Sequence, residues 1–468
     1  MRTMMRAIVP VILAVTGAPP AVAQKQEPPP VGTPKDLKLP PRHEITLPNG
    51  MAVTLVPFGT VPKAAVVLAV RAGRVNERAD QVWLSQLTAD LMQEGTKTMS
   101  SAKLAELTAG MGGDLSVTAG YDQTTIGGEV LGERAADMVA LVADVARNPL
   151  LPASELARLK ADRLRNLSIQ KSQPQPVAEE RFRAILYGPE PYGRLFPTER
   201  MLGRFTLAQV RQFHRANFGA KRSHLYVVGV FDASQVESAI RKAFGDWKAG
   251  PAPALSPARS QPKRTLVLLD RPNAVQSTIL LGLPVPSAVH PDYIPLQVTN
   301  SLLGGAFVSR ITSNIREQKG YSYSPFSAVT DLYHQAHWAE QADVTTNVTG
   351  ASLKEIFNEI DRLRNEAPPQ PELTGIEKNL AGLFALQNSS RLGIIGRLRF
   401  VDLQGLPDSY LTDYVKRVLE VTPEQVKMVA RKYLRPEDMT IVVVGDKKTV
   451  ADQIKPYERG AEVDGASR

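Results

Sequence analysis

The stretch TLAQVRQFHRANFGAKRSHLYVVGVFD, residues 206–232, matches a second stretch near the other end of the chain, TPEQVKMVARKYLRPEDMTIVVVGDKK, residues 422–448. The two align without a gap, so that Thr206 pairs with Thr422 and the closing glycines coincide. Each stretch predicts a helix that a threonine caps at its N-terminus, a turn, and a buried β-strand that ends in glycine. This internal repeat predicts a chain built from two homologous halves.

Proline-rich segments mark the boundaries of these halves. Residues 24–42 hold six prolines and predict an extended leader, and GPAPALSPARSQPKR, residues 250–264, predicts a linker. The two folded domains are then residues 43–249 and 265–458, followed by a short tail, residues 459–468. A chain of 468 residues that is 43% hydrophobic and 22% charged is long enough and ordinary enough for two globular domains.

The order of elements within the halves predicts the fold class. In the first half, Asn49-Gly50 between two alternating apolar runs predicts a β-hairpin. In the second half we predict strands at RTLVLLDRP and STILLGLPVP, a helix from 291 to about 319, and strands around 321–330 and 335–347. Helices packed on one side of mainly antiparallel sheets predict an α+β architecture.

The first 23 residues have the features of a signal peptide. Arg2 and Arg6 precede a short apolar run at 7–15, and the run ends before the small-x-small cleavage pattern AVA at 21–23. We therefore expect residues 1–23 to be removed on export, which predicts a periplasmic protein, with secretion as the alternative. No later stretch is long and apolar enough to predict insertion into a membrane.

The composition argues against several classes of function. The chain has no cysteine, which excludes disulfides, thiolate metal ligands and a cysteine nucleophile. Its net charge of +9 comes from 56 basic residues interspersed among 47 acidic ones, so we expect no nucleic-acid partner. Neither GxSxG nor GxxxxGK[ST] occurs. Among six histidines, His334 and His337 form an HxxH pair, but their strand-like context predicts opposite faces of a strand and therefore no zinc site.

The segment QVWLSQLTADLMQEGTKTMS, residues 81–100, predicts an amphipathic helix that stops at Gly95. Gln86 and Asp90 lie four residues apart, at the spacing that paired ligands on one helix face require. The apolar residues share another face and are predicted to fill the core: Trp83, Leu84, Leu87 and Leu91.

This helix, its EGTKTMS exit, the duplicated halves and SLLGGAFVSRITSNIREQKGYSYSPFS, residues 301–327, together resemble the insulinase/pitrilysin family of inverted zincins. The resemblance covers almost all of residues 43–450. In that family an HxxEH helix, which runs into a GT turn, supplies two zinc-ligating histidines and a catalytic glutamate. Here the turn is Gly95-Thr96. Counting back from it, the resemblance places the first ligand, the glutamate and the second ligand on Gln86, Ala89 and Asp90.

These three side chains do not suit zinc-dependent hydrolysis. A hydrolytic site needs about three protein ligands, a bound water and a base that takes its proton. A glutamine amide is a weak zinc ligand, an alanine accepts no proton, and a single aspartate cannot hold the ion. The family's third ligand, a glutamate of a later helix, falls on Arg165 or Asn166. Glu179 and Glu180 are nearby carboxylates that an insertion could bring into reach, but we expect no metal in this chain.

A second constellation of the family is intact. In its C-terminal half, an RExxG segment and a tyrosine seven residues after the arginine form an Arg/Tyr pair that contacts substrate near the scissile bond. Here the segment is Arg316 to Gly320, and Tyr323 lies seven residues after Arg316. Both side chains are hydrogen-bond donors suited to a peptide carbonyl or to the oxyanion formed from it. Without the resemblance, they would be a cation at a helix end and a half-buried aromatic of a strand.

The resemblance implies a specific role. In two-chain members of the family, one chain carries HxxEH and the zinc, while its partner lacks the metal and supplies the Arg/Tyr pair. This chain is therefore predicted to be the non-catalytic subunit of a heterodimeric periplasmic zinc metallopeptidase, inactive alone and forming half of a clam-shell chamber. The chamber would admit oligopeptides or unfolded polypeptides.

Two alternatives remain open. One is a metal-free structural or peptide-binding protein of the same fold with no part in hydrolysis, similar to the core proteins of respiratory cytochrome bc complexes. The other, an autonomous zinc peptidase, would require ligands that the motifs do not show.

Overall fold

The computed structural model describes residues 40–253, 257–260 and 262–458. The predicted signal peptide, all of the predicted leader up to residue 39, and the tail lie outside the described residues. Each half contains one β-sheet covered by helices, which confirms the predicted α+β class. No helix within the described ranges combines the length and the apolar character that crossing a lipid bilayer requires.

The first half contains a six-stranded sheet. Its strands are β1 (His43–Thr46), β2 (Ala52–Pro57), β3 (Lys63–Val70), β4 (Ser116–Ala119), β5 (Thr124–Leu131) and β6 (Ser223–Gly229). Their order across the sheet is β1-β2-β6-β3-β5-β4, and neighbours are antiparallel except for β2 and β6. The predicted hairpin is confirmed, because β1 pairs with β2 and Gly50 takes the positive φ of 88° that the turn requires.

Eight α-helices accompany this sheet in the described part of the first half. They are α1 (Leu84–Met92), α2 (Ser101–Gly110), α3 (Ala135–Arg147), α4 (Ala153–Ser172), α5 (Pro174–Tyr187), α6 (Glu199–Arg204), α7 (Leu207–Asn217) and α8 (Ala233–Phe244). The apolar face predicted for α1 is confirmed, since Leu87 and Leu91 are fully buried in the core that α1 shares with the sheet.

The second half repeats this plan with five strands. They are β7 (Thr265–Asp270), β8 (Gln276–Val285), β9 (Phe326–Leu332), β10 (Gln335–Thr345) and β11 (Thr440–Gly445). The order is β7-β11-β8-β10-β9, and among the described strands of this second sheet only the β7–β11 pair is parallel. The helices are α9 (Tyr293–Asn300), α10 (Thr349–Asn365), α11 (Gln370–Gln387), α12 (Arg391–Gln404), α13 (Ser409–Thr412), α14 (Tyr414–Leu419), α15 (Pro423–Tyr433) and α16 (Lys447–Ile454).

The long helix predicted from 291 to about 319 is wrong. The chain forms α9, a π-helical turn at Ser301–Gly305, a non-helical connection, and a second π-helical segment at Thr312–Gln318. A Cβ on Gly304 would lie 2.5 Å from the carboxylate of Glu340, so the backbone here packs directly on the sheet. The helix therefore breaks where its glycines meet β10, and Phe307 and Val308 turn outward.

The duplicated helix–strand unit is confirmed at atomic detail. The hydroxyl of Thr206 accepts a hydrogen bond from the Gln209 amide, and the Gln209 side chain accepts one from the Thr206 amide. Thr422 and Gln425 form the same reciprocal capping box at the start of α15. Each helix leads into an interior strand of its own sheet, β6 or β11.

The halves are packed together by an exchange of helices. Helix α5 belongs to the first half in sequence, yet Phe182 and Tyr187 pack with Leu280 and Val442 of the second sheet. In the opposite direction, α12 of the second half packs on β3 and β6. The described residues consequently form one compact unit.

Candidate functional site

The start of α1 is organised by a buried carboxylate that the sequence analysis missed. Glu77 accepts hydrogen bonds from the amides of Trp83 and Ser85, at 3.0 and 2.8 Å, and from the Ser85 hydroxyl. Trp83 precedes the helix in a left-handed conformation with φ of 74°. Burial raises the pKa of Glu77, although these hydrogen bonds and Arg74 oppose the rise. Glu77 therefore caps α1 from outside the helix and fixes its orientation on the sheet.

The positions that the resemblance assigns to metal ligands hold an ion pair. Both oxygens of Asp90 accept hydrogen bonds from the guanidinium of Arg163 on α4, each at 2.7 Å. Arg163 also donates to the backbone carbonyl of Gln86, at 3.3 Å. Ala89 is buried, and the side-chain oxygen of Gln86 is buried without a hydrogen-bond partner among the described residues. A guanidinium thus lies beside the aspartate that would have to bind a cation.

The other residues considered as zinc ligands lie elsewhere. Arg165 is exposed and pairs with Asp162, and Asn166 is also exposed. Glu179 bonds to Arg183, and Glu180 lies 4.0 Å from Lys171. The described residues contain no group of three or more His, Asp or Glu side chains arranged to hold a metal ion. The donor set around α1 therefore does not fit a zinc centre.

The HxxH pair is separated by the fold. His334 occupies the turn between β9 and β10 with φ of 51°, so it is not the strand residue that was predicted. Its ring contacts the backbone carbonyl of Gln404, at 3.0 Å. His337 lies in β10, is buried, and is hydrogen-bonded to the Tyr187 hydroxyl at 2.8 Å. Burial lowers the pKa of His337 to about 3, so the ring is neutral in the folded protein.

Arg316 and Tyr323 are brought together on the surface. The guanidinium carbon of Arg316 lies 5.2 Å from the centre of the Tyr323 ring and 4.3 Å from the centre of the Phe307 ring. The guanidinium is therefore held by cation–π contacts with two aromatic rings. Tyr323 is 79% exposed, and it lies in the connection before β9 rather than within a strand.

Tight packing beneath Arg316 and Tyr323 explains why the backbone breaks from a regular helix around Gly304. Asn300 accepts hydrogen bonds from the Ser327 hydroxyl, at 2.8 Å, and from the Trp338 indole, at 2.9 Å. A Cβ on Gly304 would meet the Ser327 hydroxyl and Glu340 at 2.5 Å, so only glycine fits there without displacement. The first π-helical segment, Ser301–Gly305, is thus seated on a buried polar cluster of the sheet.

The result is an open groove of about 390 Å³ beside Arg316. Its walls are the backbone of Gly304 and Gly305, the guanidinium of Arg316 and a set of apolar side chains. That set comprises Ala306, Phe307, Tyr323, Pro325 and Phe326. We call this feature the Arg316 groove.

Two family models match consecutive parts of this chain. The insulinase (peptidase family M16) model matches residues 56–196, which include Gln86, Ala89 and Asp90. The peptidase M16 inactive domain model matches residues 204–380, which include the Arg316 groove. The chain belongs to the insulinase family. The first matched segment contains the positions that the resemblance assigns to the zinc site, and the second contains Arg316 and Tyr323.

Similar proteins align with this chain over nearly their whole length. An uncharacterized zinc protease of Mycobacterium tuberculosis is 25% identical over 430 residues, which cover 88% of this chain and 95% of that protein. An uncharacterized zinc protease of Bacillus subtilis is 23% identical, with coverage of 85% and 97%.

Two solved structures have the same architecture. A peptidase M16 inactive domain from Pseudomonas fluorescens superposes with a TM-score of 0.80 at 26% identity, covering 86% of this chain and 98% of that chain. A protease from Helicobacter pylori superposes with a TM-score of 0.82 at 20% identity, covering 87% and 100%, and its likeness concerns the fold alone.

Proposed function

We propose that this chain is the non-catalytic subunit of a heterodimeric zinc metallopeptidase of the periplasm. A homologous partner chain with an intact HxxEH motif would bind the zinc and carry the general base, and this chain would bind no metal. The proposal is supported by the membership of the insulinase family, by the match to a peptidase M16 inactive domain, and by the ion pair at Asp90.

The observation that carries the proposal is the arrangement of Arg316, which is half-buried and paired with the adjacent Glu317 at 3.2 Å, beside the exposed Tyr323. The two aromatic rings restrict the guanidinium, so less side-chain entropy is lost when it binds a ligand. The highly exposed Tyr323 hydroxyl makes no hydrogen bond with a described residue and remains available as a donor. Together these groups can orient a peptide carbonyl and stabilise the oxyanion that forms when the partner's zinc-bound water attacks it.

The Arg316 groove suggests the class of substrate. It is open to solvent and lined mainly by apolar side chains and glycine backbone, which suits an extended peptide better than the surface of a folded domain. We therefore propose oligopeptides or unfolded polypeptides as substrates. If the chamber is formed by two clam-shell halves, folded proteins would be excluded by size.

The test is co-expression with an HxxEH-bearing homologue, followed by a peptide-cleavage assay on the purified heterodimer. Removing one oxyanion-type donor costs about 10²–10³-fold in rate in other hydrolases, so we expect Arg316→Ala and Tyr323→Phe to lower kcat strongly. Arg431→Ala is a matched control, because Arg431 is exposed on α15 and makes no ion pair with a described residue. Unchanged rates in an intact heterodimer would contradict the proposed role.

The alternative, a metal-free structural or peptide-binding protein, predicts a different pattern. The heterodimer would form, but hydrolysis would be insensitive to Arg316 and Tyr323. Metal analysis of the purified chain addresses the other possibility, since stoichiometric zinc in this chain alone would show that it has ligands of its own. Export is tested separately, by fractionating cells and sequencing the N-terminus of the mature chain.

A further inference from the structure

A second and larger groove lies in the first half of the molecule, and we call it the basic groove. Its volume is about 770 Å³, roughly twice that of the Arg316 groove, and it shares no lining residue with that groove. Four separate segments form it: the turn after α1, the loop between α3 and α4, one side of α7, and the loop after α8. Its charged rim and apolar floor include Lys97, Arg211, Arg215, Lys248, Leu150 and Trp247.

The charges of the rim are not balanced within the described residues. Lys97, Arg211, Arg215 and Lys248 are all exposed, and none of them forms an ion pair there. The one acidic side chain of the lining, Asp246, already pairs with Arg147 at 2.7 Å. Like charges gathered around a concavity raise the positive potential inside it, because the low-dielectric walls focus the field. The groove therefore attracts an anionic ligand.

The floor of the groove is apolar, and its backbone is held in an uncommon conformation. Leu151 has φ of 47°, in the left-handed region that bulky residues rarely adopt. The adjoining Leu150 is turned outward and is 45% exposed. Hydrogen bonds from the Leu150 amide to the Gly95 carbonyl, 3.0 Å, and from the Lys97 amide to the Asn148 carbonyl, 2.9 Å, fix this loop. The strained loop thus presents an apolar side chain between the cations.

We infer that the basic groove binds an acidic polypeptide segment that carries an apolar residue between its carboxylates. A small inorganic anion would use the cations and leave the apolar floor unused. A membrane surface is flat on this scale and would not reach the floor of a concavity. A peptide with acidic residues on either side of a leucine matches both features, with carboxylates at the rim and the apolar side chain against Leu150 and Trp247.

The repeat supplies a matched control for the charge. Arg211 and Arg215 lie one helical turn apart on α7, and the alignment of the two halves pairs them with Lys427 and Arg431 on α15. Reversing either pair to glutamate changes the net charge by the same amount at corresponding positions. We expect R211E/R215E to weaken binding of a fluorescent Glu/Leu peptide by about tenfold or more, and K427E/R431E to change it little.

A peptide in which lysines replace the glutamates should not bind, and added salt should weaken the complex. Equal effects of the two double variants would overturn the inference, as would competition by inorganic phosphate or by anionic phospholipid vesicles at least as strong as that by unlabelled peptide. Circular dichroism and thermal unfolding of each variant establish that it is folded.

A second variant tests the apolar part of the inference independently. Leu150→Ser alters an exposed side chain and leaves the rim charges in place. It should weaken binding of the Glu/Leu peptide several-fold but should not affect binding of a Glu/Ser peptide, which has no apolar side chain to place on the floor. An equal loss for both peptides, or no loss for either, would contradict binding of an apolar residue in the groove.

Discussion

At the scale of single residues, the ion pair between Asp90 and Arg163 determines whether α1 can bind a metal ion. The two side chains are only 22% and 19% exposed, so a partner removed from the pair is not replaced fully by water. A zinc ion at this position would have to displace the guanidinium and would still lack further ligands. Asp90, which the resemblance assigns to metal binding, therefore forms a structural contact between α1 and α4.

Breaking this pair should destabilise the protein. We expect Asp90→Asn to lower the free energy of unfolding by about 1–2 kcal/mol, because it leaves a half-buried guanidinium without its counter-ion. Asp80→Asn is the control, since Asp80 pairs with Arg78 on the open surface and should change stability by less than about 0.5 kcal/mol. Urea denaturation of both variants measures the difference, and equal midpoints would show that the Asp90 pair contributes no more than a surface pair.

Gly304 should be as important for the Arg316 groove as the residues that face solvent. Gly304→Ala places a methyl group against Glu340 and Ser327, and overpacking of this kind costs about 1–3 kcal/mol. Gly375→Ala on α11 is the control, because nothing lies within 4 Å of its added Cβ and a helical alanine gains about 0.5–1 kcal/mol over glycine. The free energy of unfolding, measured by urea denaturation, and the affinity for peptide should both decline for Gly304→Ala and not for Gly375→Ala.

The positions that the resemblance assigns to the zinc site lie within one helix and could be named from the sequence, whereas the arginine that pairs with Asp90 was not identified. Gln86, Ala89 and Asp90 follow from counting along one helix back from the GT turn. Arg163 lies 73 positions from Asp90 in sequence, and only the tertiary structure brings the two together. A signal was nevertheless present, because Arg163 lies at four-residue spacing between Leu159 and Leu167, which are both buried. An arginine within an apolar stripe indicates a buried partner.

At the scale of secondary-structure elements, strand β10 carries an unusual group beneath the Arg316 groove. Glu340 is fully buried, and neither carboxyl oxygen makes a hydrogen bond of normal geometry with a described residue. Burial raises the pKa of Glu340 well above its usual 4.5, and the nearby Phe326 amide offsets this only in part. The folded protein therefore retains a proton on Glu340 at pH values where the unfolded chain has lost it.

This difference sets the sign of a pH effect on stability. Because the native state binds the extra proton, the contribution of Glu340 to stability is greatest below about pH 4.5 and falls as the pH rises toward the folded-state pKa. Between pH 4.5 and the folded-state pKa, the free energy of unfolding of the wild type should fall by about 1.4 kcal/mol per pH unit relative to that of Glu340→Gln. The glutamine cannot ionise and therefore shows no such dependence. Urea denaturation at several pH values measures the two slopes. The exposed Glu424→Gln is the control, and parallel slopes for wild type and Glu340→Gln would contradict burial of a protonated carboxyl group.

The regular elements were predictable because their signals are local. The threonine N-caps, the Asn-Gly hairpin and the strand alternation each lie within a few residues of sequence. The helix predicted from 291 to about 319 failed, because the decisive contact is between Gly304 and β10, which the local pattern does not contain. Tyr323 moved from a strand to a surface connection for the same reason, since the chain must return from the broken helix before β9 begins.

At the scale of the whole molecule, the two halves depend on each other. The sequence predicted two domains and a linker, but it gave no sign that α5 would cover the second sheet or that α12 would cover the first. Arg391 at the start of α12 bonds to Glu129 of β5 through both carboxylate oxygens, at 2.8 and 2.9 Å. Part of the linker also packs, since Ala258 is buried with the residues of α5. Hinge motion between the halves would have to break these contacts.

Because the two halves are packed against each other through exchanged helices, we expect them to unfold in a single transition. The three tryptophans are Trp83 and Trp247 in the first half and Trp338 in the second, so tryptophan-to-phenylalanine variants can report on each half alone. We expect fluorescence from either half to give the same denaturation midpoint as circular dichroism of the same variant.

Phe182→Ala, which alters α5, should lower the free energy of unfolding by about 3–5 kcal/mol because it leaves a cavity against the second sheet. Both fluorescence midpoints should then shift together, although Phe182 belongs to the first half in sequence. Phe213→Ala, on α7 and within the first core only, is a second test variant, and it should also shift both midpoints because the halves form one cooperative unit. Separate midpoints, with the second half unmoved by either substitution, would show that the exchanged helices do not couple the halves.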